Sequence, residues 1–309
     1  MAAHNQLKIL SGVIALIILG GAVVLMAYYW EKVLRPEKVA IQKVEAVKVG
    51  DIVAPPPDPG LKPFEAAVQH IKAEEWEQAR SQLYYLMRYY PDSSKYEESK
   101  RILGEINADL LLSSSPMPGK IQHTVRSGDY FTVLQKKYST TIDFILRANS
   151  RTTHFVRIGD KLWVMPLYFA MDADLQNRKL TVYRVEEVTP EVAAVGGTEA
   201  AAPEKQEVFF KEYSIVDVNL PPTVSVPYST KVNSKPAWLG NKRASFEQAE
   251  YHLAQKWLQT SKVGVAIKAA PEDIENATED RKMGILMSPS DMSELFTYVR
   301  VGAPLRLTN

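Results

Sequence analysis

Residues His123–Pro166 read HTVRSGDYFTVLQKKYSTTIDFILRANSRTTHFVRIGDKLWVMP. The stretch carries its own punctuation. A short β-run, Ile121–Val125, stops at Ser127-Gly128-Asp129, and a second, Lys161–Met165, starts after Gly159-Asp160. Glycine supplies positive φ and aspartate a local side-chain acceptor, which is what a tight turn requires. Between the two turns, Phe131, Leu134 and Tyr138 repeat at +3 and +4, so they share one face of a helix. Ile142, Ile145 and Leu146 do the same for a second helix. With Val125, Val156, Leu162 and Val164 these residues are expected to form one small core. Asp129 stands where it would N-cap the first helix.

This strand–helix–helix–strand order closely resembles a LysM module, the βααβ fold that binds N-acetylglucosamine-containing glycans such as peptidoglycan and chitin. The resemblance spans residues 121–167. It implies a groove between Ser127-Gly128-Asp129-Tyr130 and Val156-Arg157-Ile158-Gly159. A shallow surface of backbone amides suits sugar hydroxyls and an acetamide. Gly128 and Gly159 allow close backbone approach. Tyr130 stands where the family more often has a small Thr.

Upstream, Ser113–Gly119 with its two prolines reads as a linker (113–120). Residues 63–112 read as three helices. Phe64, Ala67, Val68 and Ile71 make one apolar stripe, and Trp76, Ala79, Leu83, Leu86 and Met87 another. Pro91-Asp92 ends the second helix, and Ser93 or Ser94 is expected to cap the third. The pattern is similar to a tetratricopeptide-type hairpin with one extra helix. It is too short for a stacked groove, so a spacer packing on itself is the preferred reading, with docking of an envelope protein partner through 63–112 as the alternative. Residues 31–62, with Ala54-Pro55-Pro56-Pro57-Asp58-Pro59-Gly60, read as a semi-rigid proline-rich linker. Ile9–Trp30 is free of charge and ends in Tyr28-Tyr29-Trp30. About 22 residues at ~1.5 Å each span a ~30 Å hydrocarbon core. An uncleaved membrane anchor is expected over 9–30, in preference to a cleaved signal peptide. Lys32, Arg35 and Lys38 lie beyond the span, against the positive-inside rule. The glycan-binding resemblance decides the orientation instead: a short cytoplasmic tail (1–8) in the bacterial inner membrane and the bulk in the periplasm.

Downstream, residues 168–309 are strand-rich, with a floppy Ala/Gly/Pro/Glu-rich loop (190–206) between strands Lys179–Val188 and Glu207–Val218. Gly284–Leu307 reads GILMSPSDMSELFTYVRVGAPLRL. It resembles the end of the L,D-transpeptidase (YkuD-type) catalytic domain, with Asp291–Val299 as its helix and Val301-Gly302-Ala303-Pro304 as its closing strand. Met171–Asp174 with Leu180–Tyr183, Phe209–Ser214 and Val232–Trp238 resemble earlier strands. That family attacks a peptide carbonyl with a Cys thiolate activated by His. Here Gly284 stands in the place of the Cys, Lys282 in that of the motif His, Met283 in that of its Gly and Leu286 in that of its Arg. Lys268-Ala269 replaces an upstream His-Gly. The chain has no cysteine. No catalytic residue is therefore assigned, and Gly284, Lys282 and Lys268 are read as degenerate former catalytic positions. Lys268, Arg281 and Lys282 are expected as a solvated basic rim. Ser288 has no base beside it in sequence, and His252 is the only one of five histidines in this region.

The net charge of +1 and the absence of a basic run interleaved with aromatics give no reason to expect nucleic acid as a partner. No metal cluster, phosphate loop or cofactor motif is present. The expected chain is multidomain α+β, with a transmembrane helix, a TPR-like α-hairpin segment, a βααβ module and a mainly-β domain (168–309). The expected function is a non-catalytic, membrane-anchored peptidoglycan-binding protein. The alternatives are an active L,D-transpeptidase-family enzyme with an atypical site and an interaction adaptor.

Overall fold

A computed structural model describes residues 57–153, 155–187, 205–272 and 278–309. The tail 1–8, the expected span 9–30, most of the proline-rich linker and nearly all of the loop 190–206 lie outside the described residues. Among the described residues no helix is long and apolar enough to cross a membrane.

Three helices open the described chain: α1 Leu61–Lys72, α2 Trp76–Tyr89 and α3 Tyr96–Leu112. The expected stripes point inward through Phe64, Ala67, Ala79, Leu83 and Leu86, while Trp76 is exposed. The α3 N-terminus differs from expectation. Its N-cap is Lys95, with no side-chain cap bond, and Ser93 Oγ instead accepts the Lys95 N–H at 3.1 Å, closing the preceding turn.

The segment after α3 is a packed connection. Lys120 is buried, and its Nζ donates to the carbonyls of Leu110, Ser113 and Ser115 at 2.7, 2.7 and 3.0 Å. A helix leaves its last carbonyls without intrahelical donors, and a cation there satisfies them and complements the dipole. Burial pushes this ammonium down to about 8.

The βααβ topology follows: β1 Ile121–Thr124, α4 Phe131–Lys137, α5 Ile142–Ala148 and β2 Lys161–Val164. The two strands pair antiparallel, with Ile121 opposite Val164 and Thr124 opposite Lys161. Val125, Phe131, Leu134, Ile142, Ile145, Leu162 and Val164 are all buried, as the periodicity implies. The N-cap of α4 is Tyr130, without a side-chain bond, so Asp129 does not cap it. Thr141 caps α5 by accepting the Phe144 N–H.

The remaining strands are β3 Phe169–Asp174, β4 Lys179–Glu187, β5 Lys205–Asn219, β6 Tyr228–Ser234, β7 Ala237–Leu239, β8 Lys242–Arg243, β9 Gln255–Thr260, β10 Ala266–Ala269, β11 Gly284–Met287 and β12 Pro304–Thr308. Their pairing runs β3-β4-β5-β11-β10-β9-β6-β12 and returns from β12 to β3, closing a barrel-like ring. Two of these contacts, β10 with β11 and β12 with β3, are parallel. Closure leaves no free edge around that ring. A short helix, α6 Glu279–Lys282, precedes β11, and α7 Pro289–Tyr298 follows it. The closing strand begins at Pro304; Val301-Gly302 forms the turn before it.

The helices pack on one another as expected, and the segment is more than a self-packed spacer, because α3 also lies along β5. A β-bulge explains how. Val182 pairs with Lys211 but Tyr183 with Phe209, so Phe210 is the extra residue. A bulge leaves ladder groups unpaired. Here Tyr84 donates its hydroxyl to the Phe209 carbonyl at 2.8 Å, and the buried Asn107 Nδ2 donates to the Phe210 carbonyl at 2.8 Å. Gly104 lets the backbones close up, since a Cβ there would lie 3.1 Å from Lys211 Cγ. Lys211 Nζ then pairs with Glu105 of α3 at 2.9 Å and Glu294 of α7 at 2.8 Å. Phe169, Phe210 and Tyr298 stack behind this joint with centroids 4.9 to 5.3 Å apart.

Candidate glycan site and the motif-aligned positions

The two loops singled out in sequence lie side by side. Val125 N–H donates to the Asp160 carbonyl at 2.8 Å, and Gly159 N–H to the Val125 carbonyl at 2.9 Å. Each loop follows the same pentapeptide pattern, Val125-Arg-Ser-Gly-Asp129 and Val156-Arg-Ile-Gly-Asp160. Each turn closes the same way: Asp129 N–H donates to the Arg126 carbonyl at 3.1 Å, and Asp160 N–H to that of Arg157 at 3.0 Å. Gly128 and Gly159 have φ of +87° and +93°, where an L side chain is strained, and nothing lies within 4 Å of either missing Cβ. Both glycines therefore face open space.

The aspartates hold the loops from below. Asp129 Oδ2 accepts the Arg126 N–H at 2.7 Å, and His123 Nε2 lies 2.9 Å away. His123 Nδ1 is 2.8 Å from the Tyr138 hydroxyl. A carboxylate only accepts, so neutral His123 carries its proton on Nε2 and takes the tyrosine hydroxyl at Nδ1. The Arg126 N–H holds the Asp129 carboxyl below its usual range, with His123 adding to it. Asp160 Oδ2 accepts from Arg157 N–H at 3.1 Å and Arg151 Nη1 at 2.9 Å, and the Arg157 N–H lowers that carboxyl too. In sequence Asp160 reads only as a turn residue, and the repeated Val-Arg-x-Gly-Asp is the signal that pairs it with Asp129.

Ser127, Gly128, Tyr130, Arg157, Ile158 and Gly159 are exposed, and Asp129 and Val156 are half-buried. Tyr130 is 67%, Ile158 76% and Phe155 70% exposed. The surface thus offers two glycine-opened backbones flanked by apolar side chains. Its two carboxylates are engaged by backbone amides.

The three positions aligned in sequence with a catalytic motif, Gly284, Lys282 and Lys268, come together only in part. Gly284 starts β11 and Lys268 lies in the adjacent parallel strand β10, opposite Leu286; Lys282 ends α6. Gly284 has φ +121°, and a Cβ there would sit 2.5 Å from the Ala266 carbonyl oxygen. No real Cβ approaches that closely, so the backbone has no room for a nucleophilic side chain at this position. Lys268 is buried, with Nζ 4.2 Å from the Trp257 ring centroid, and so is not part of a solvated rim. Trp238 packs on the other tryptophan at 5.6 Å. Arg281 does line a groove of about 650 Å³ with Lys256, Ala270 and Met292, which neither Lys268 nor Lys282 joins. Ser288 is the N-cap of α7, accepting the Asp291 N–H at 3.1 Å and bonding Ser290 at 2.9 Å. His252 sits in a 3₁₀ helix, Ala249–Leu253, with Nδ1 2.8 Å from the Ala249 carbonyl. Among the described residues no group of three or more His, Cys, Asp or Glu could hold a metal.

No protein-family model matches this sequence, and no curated protein matches it. Solved structures do. An L,D-transpeptidase from Enterococcus faecium is similar at 19% identity, over 50% of this chain and 57% of its own, with a TM-score of 0.26. An L,D-transpeptidase from Mycobacterium smegmatis matches at 12% identity over 50% and 65%, with a TM-score of 0.29. A fused Zn-dependent amidase/peptidase/peptidoglycan-binding protein from Clostridium acetobutylicum matches at 9% identity over 45% and 51%, with a TM-score of 0.29. The chain spans about half the length of the first two or three structures it matches.

Proposed function

We propose that this is a cell-envelope protein that holds an N-acetylglucosamine-containing glycan, peptidoglycan above all, in the groove between the two glycine loops. The observation that carries the reading is the pair of positive-φ glycines, cross-tied through Val125 and open to solvent on one side. Sugars need amide donors and acceptors at close range with an apolar face beside them. The βααβ unit supplies both through its loop backbones and through Tyr130, Phe155 and Ile158. The module is read as LysM-like and the barrel as a transpeptidase-like scaffold that performs no acyl transfer. Gly284 has no side chain, and the Ala266 carbonyl occupies the space one would need. Residues 9–30 anchor the protein in the inner membrane in this reading, with residues 59–309 on the wall side. Helices α1 to α3 brace the barrel through α3 and through Tyr84 of α2, and any protein partner would dock on the outward faces of residues 63–112.

The test is co-sedimentation of the detergent-solubilised full chain with purified sacculi. The chain is expected in the pellet. Recovery in the supernatant, or pelleting that Gly128→Val and Gly159→Val leave unchanged, contradicts the proposal.

A further inference from the structure

At the end of α4 remote from the glycan loops, a cavity of about 480 Å³ lies between the βααβ unit and the barrel. It is separate from Gly284, Lys268 and Lys282, none of which lines it. Its charge is lopsided: Lys136, Lys235, Arg243 and Arg300 line it against one carboxylate, Asp143. Among the described residues none of these cations pairs with a carboxylate. Lys235 Nζ donates to the carbonyls of Phe296 and Val299, and Arg300 lies 5.5 Å from the Tyr168 ring centroid. Thr140 also lines the cavity, is 1% exposed, and its hydroxyl has no hydrogen-bond partner among the described residues. A buried hydroxyl left unpaired costs free energy.

Asp143 narrows the ligand. It would repel a dianion, yet its existing contacts are long: Lys256 Nζ at 3.8 Å and the Tyr251 hydroxyl at 3.4 Å. Acceptor capacity therefore remains for an amine or amide N–H. Cations on one side and a carboxylate on the other fit a peptide end. Burial pushes Lys235 down to about 8, so a bound carboxylate would also offset its desolvation. Reach agrees. Helix α4 has 7 residues, about 10 Å at ~1.5 Å each, between Tyr130 at the glycan loop and Lys136 at the cavity. An extended tetrapeptide covers about 13 Å.

We propose that this cavity binds the carboxylate end of a short acidic peptide linked to the glycan held at the Gly128 and Gly159 loops, with Arg243 and Arg300 on the carboxylate and Asp143 on a peptide N–H. The inference rests on the glycan reading, and the experiment separates the two. The full chain in detergent is titrated calorimetrically with four probes. These are a peptide-free N-acetylglucosamine oligomer, a free glutamate-containing tetrapeptide, the same peptide with every carboxylate amidated, and inorganic phosphate. The free tetrapeptide is expected to bind. Amidation, or Arg243→Glu with Arg300→Glu, should each weaken it about tenfold or more, as loss of a charge-assisted bond does. Binding of the sugar oligomer should be unmoved by those variants. Arg243→Gln, at an exposed position, is the milder check should the double variant misfold by circular dichroism. No peptide binding, binding indifferent to amidation and to the arginine changes, or phosphate binding as tightly as the peptide overturns the inference. Peptide binding without sugar binding supports the cavity and removes the glycan reading; the reverse overturns the cavity alone.

Discussion

Gly159 and Gly128 do different work from Gly284, although all three sit at positive φ. Around the first two there is open space, so a larger residue is strained only by its backbone. Gly159→Val should therefore cost about 1–2 kcal/mol in urea unfolding, the left-handed penalty, while removing most glycan affinity. Around Gly284 there is none. Gly284→Cys should lower the melting temperature and yield no release of D-amino acids from stem peptides. A folded, active Cys variant would show that only the nucleophile had been lost. Asp129 and Asp160 carry a pH signature. Both carboxyls sit below their usual value when folded, so the unfolded chain binds more protons as pH falls below about 4. Their stabilisation is full above that value and fades as pH drops through the folded ones. Asp129→Asn with Asp160→Asn should flatten this acid slope in unfolding measured between pH 2 and pH 5, and an unchanged slope would count against the loop geometry.

At the scale of elements, the joint between α3 and β5 decides how the helical segment is used. Lys211 is buried between Glu105 and Glu294, and Tyr213 donates to Glu294 at 2.7 Å. Lys211→Met would leave Glu294 without its countercharge and with only the Tyr213 hydroxyl, and removing one member of a buried pair costs about 3–5 kcal/mol. Chemical unfolding should show that loss, with Glu294→Gln recovering part of it; a cost under about 1 kcal/mol would mean the pair is solvated. Local chemistry was legible in sequence. The turns at Gly128-Asp129 and Gly159-Asp160, the helices between them and the β3/β4 hairpin all depend on neighbours a few residues apart. Long-range partners were not. Asn107 finds the Phe210 carbonyl only because a bulge frees it, and Lys120 reads as a linker cation until its three carbonyls are seen. Asp129 was a plausible cap by position, but the Arg126 N–H, closer in the turn, won its carboxylate. The cavity beside Thr140 joins residues from 135 to 301, a spacing no motif encodes.

At the scale of the molecule, residues 59–309 make one compact unit with a continuous apolar core running from Phe64 through the βααβ unit to Leu307. Thermal unfolding should accordingly show one cooperative transition for helices, βααβ unit and barrel together, and two resolved transitions would contradict that continuity. Such a core holds the two glycine loops and the junction cavity at fixed separation. The most direct measurement is calorimetric titration of peptide-free N-acetylglucosamine oligomers into the full chain. The account predicts saturable binding that Gly128→Val and Gly159→Val each abolish while the charge-reversed cavity leaves it intact. No binding to the unaltered chain, or binding that survives both glycine substitutions, contradicts it.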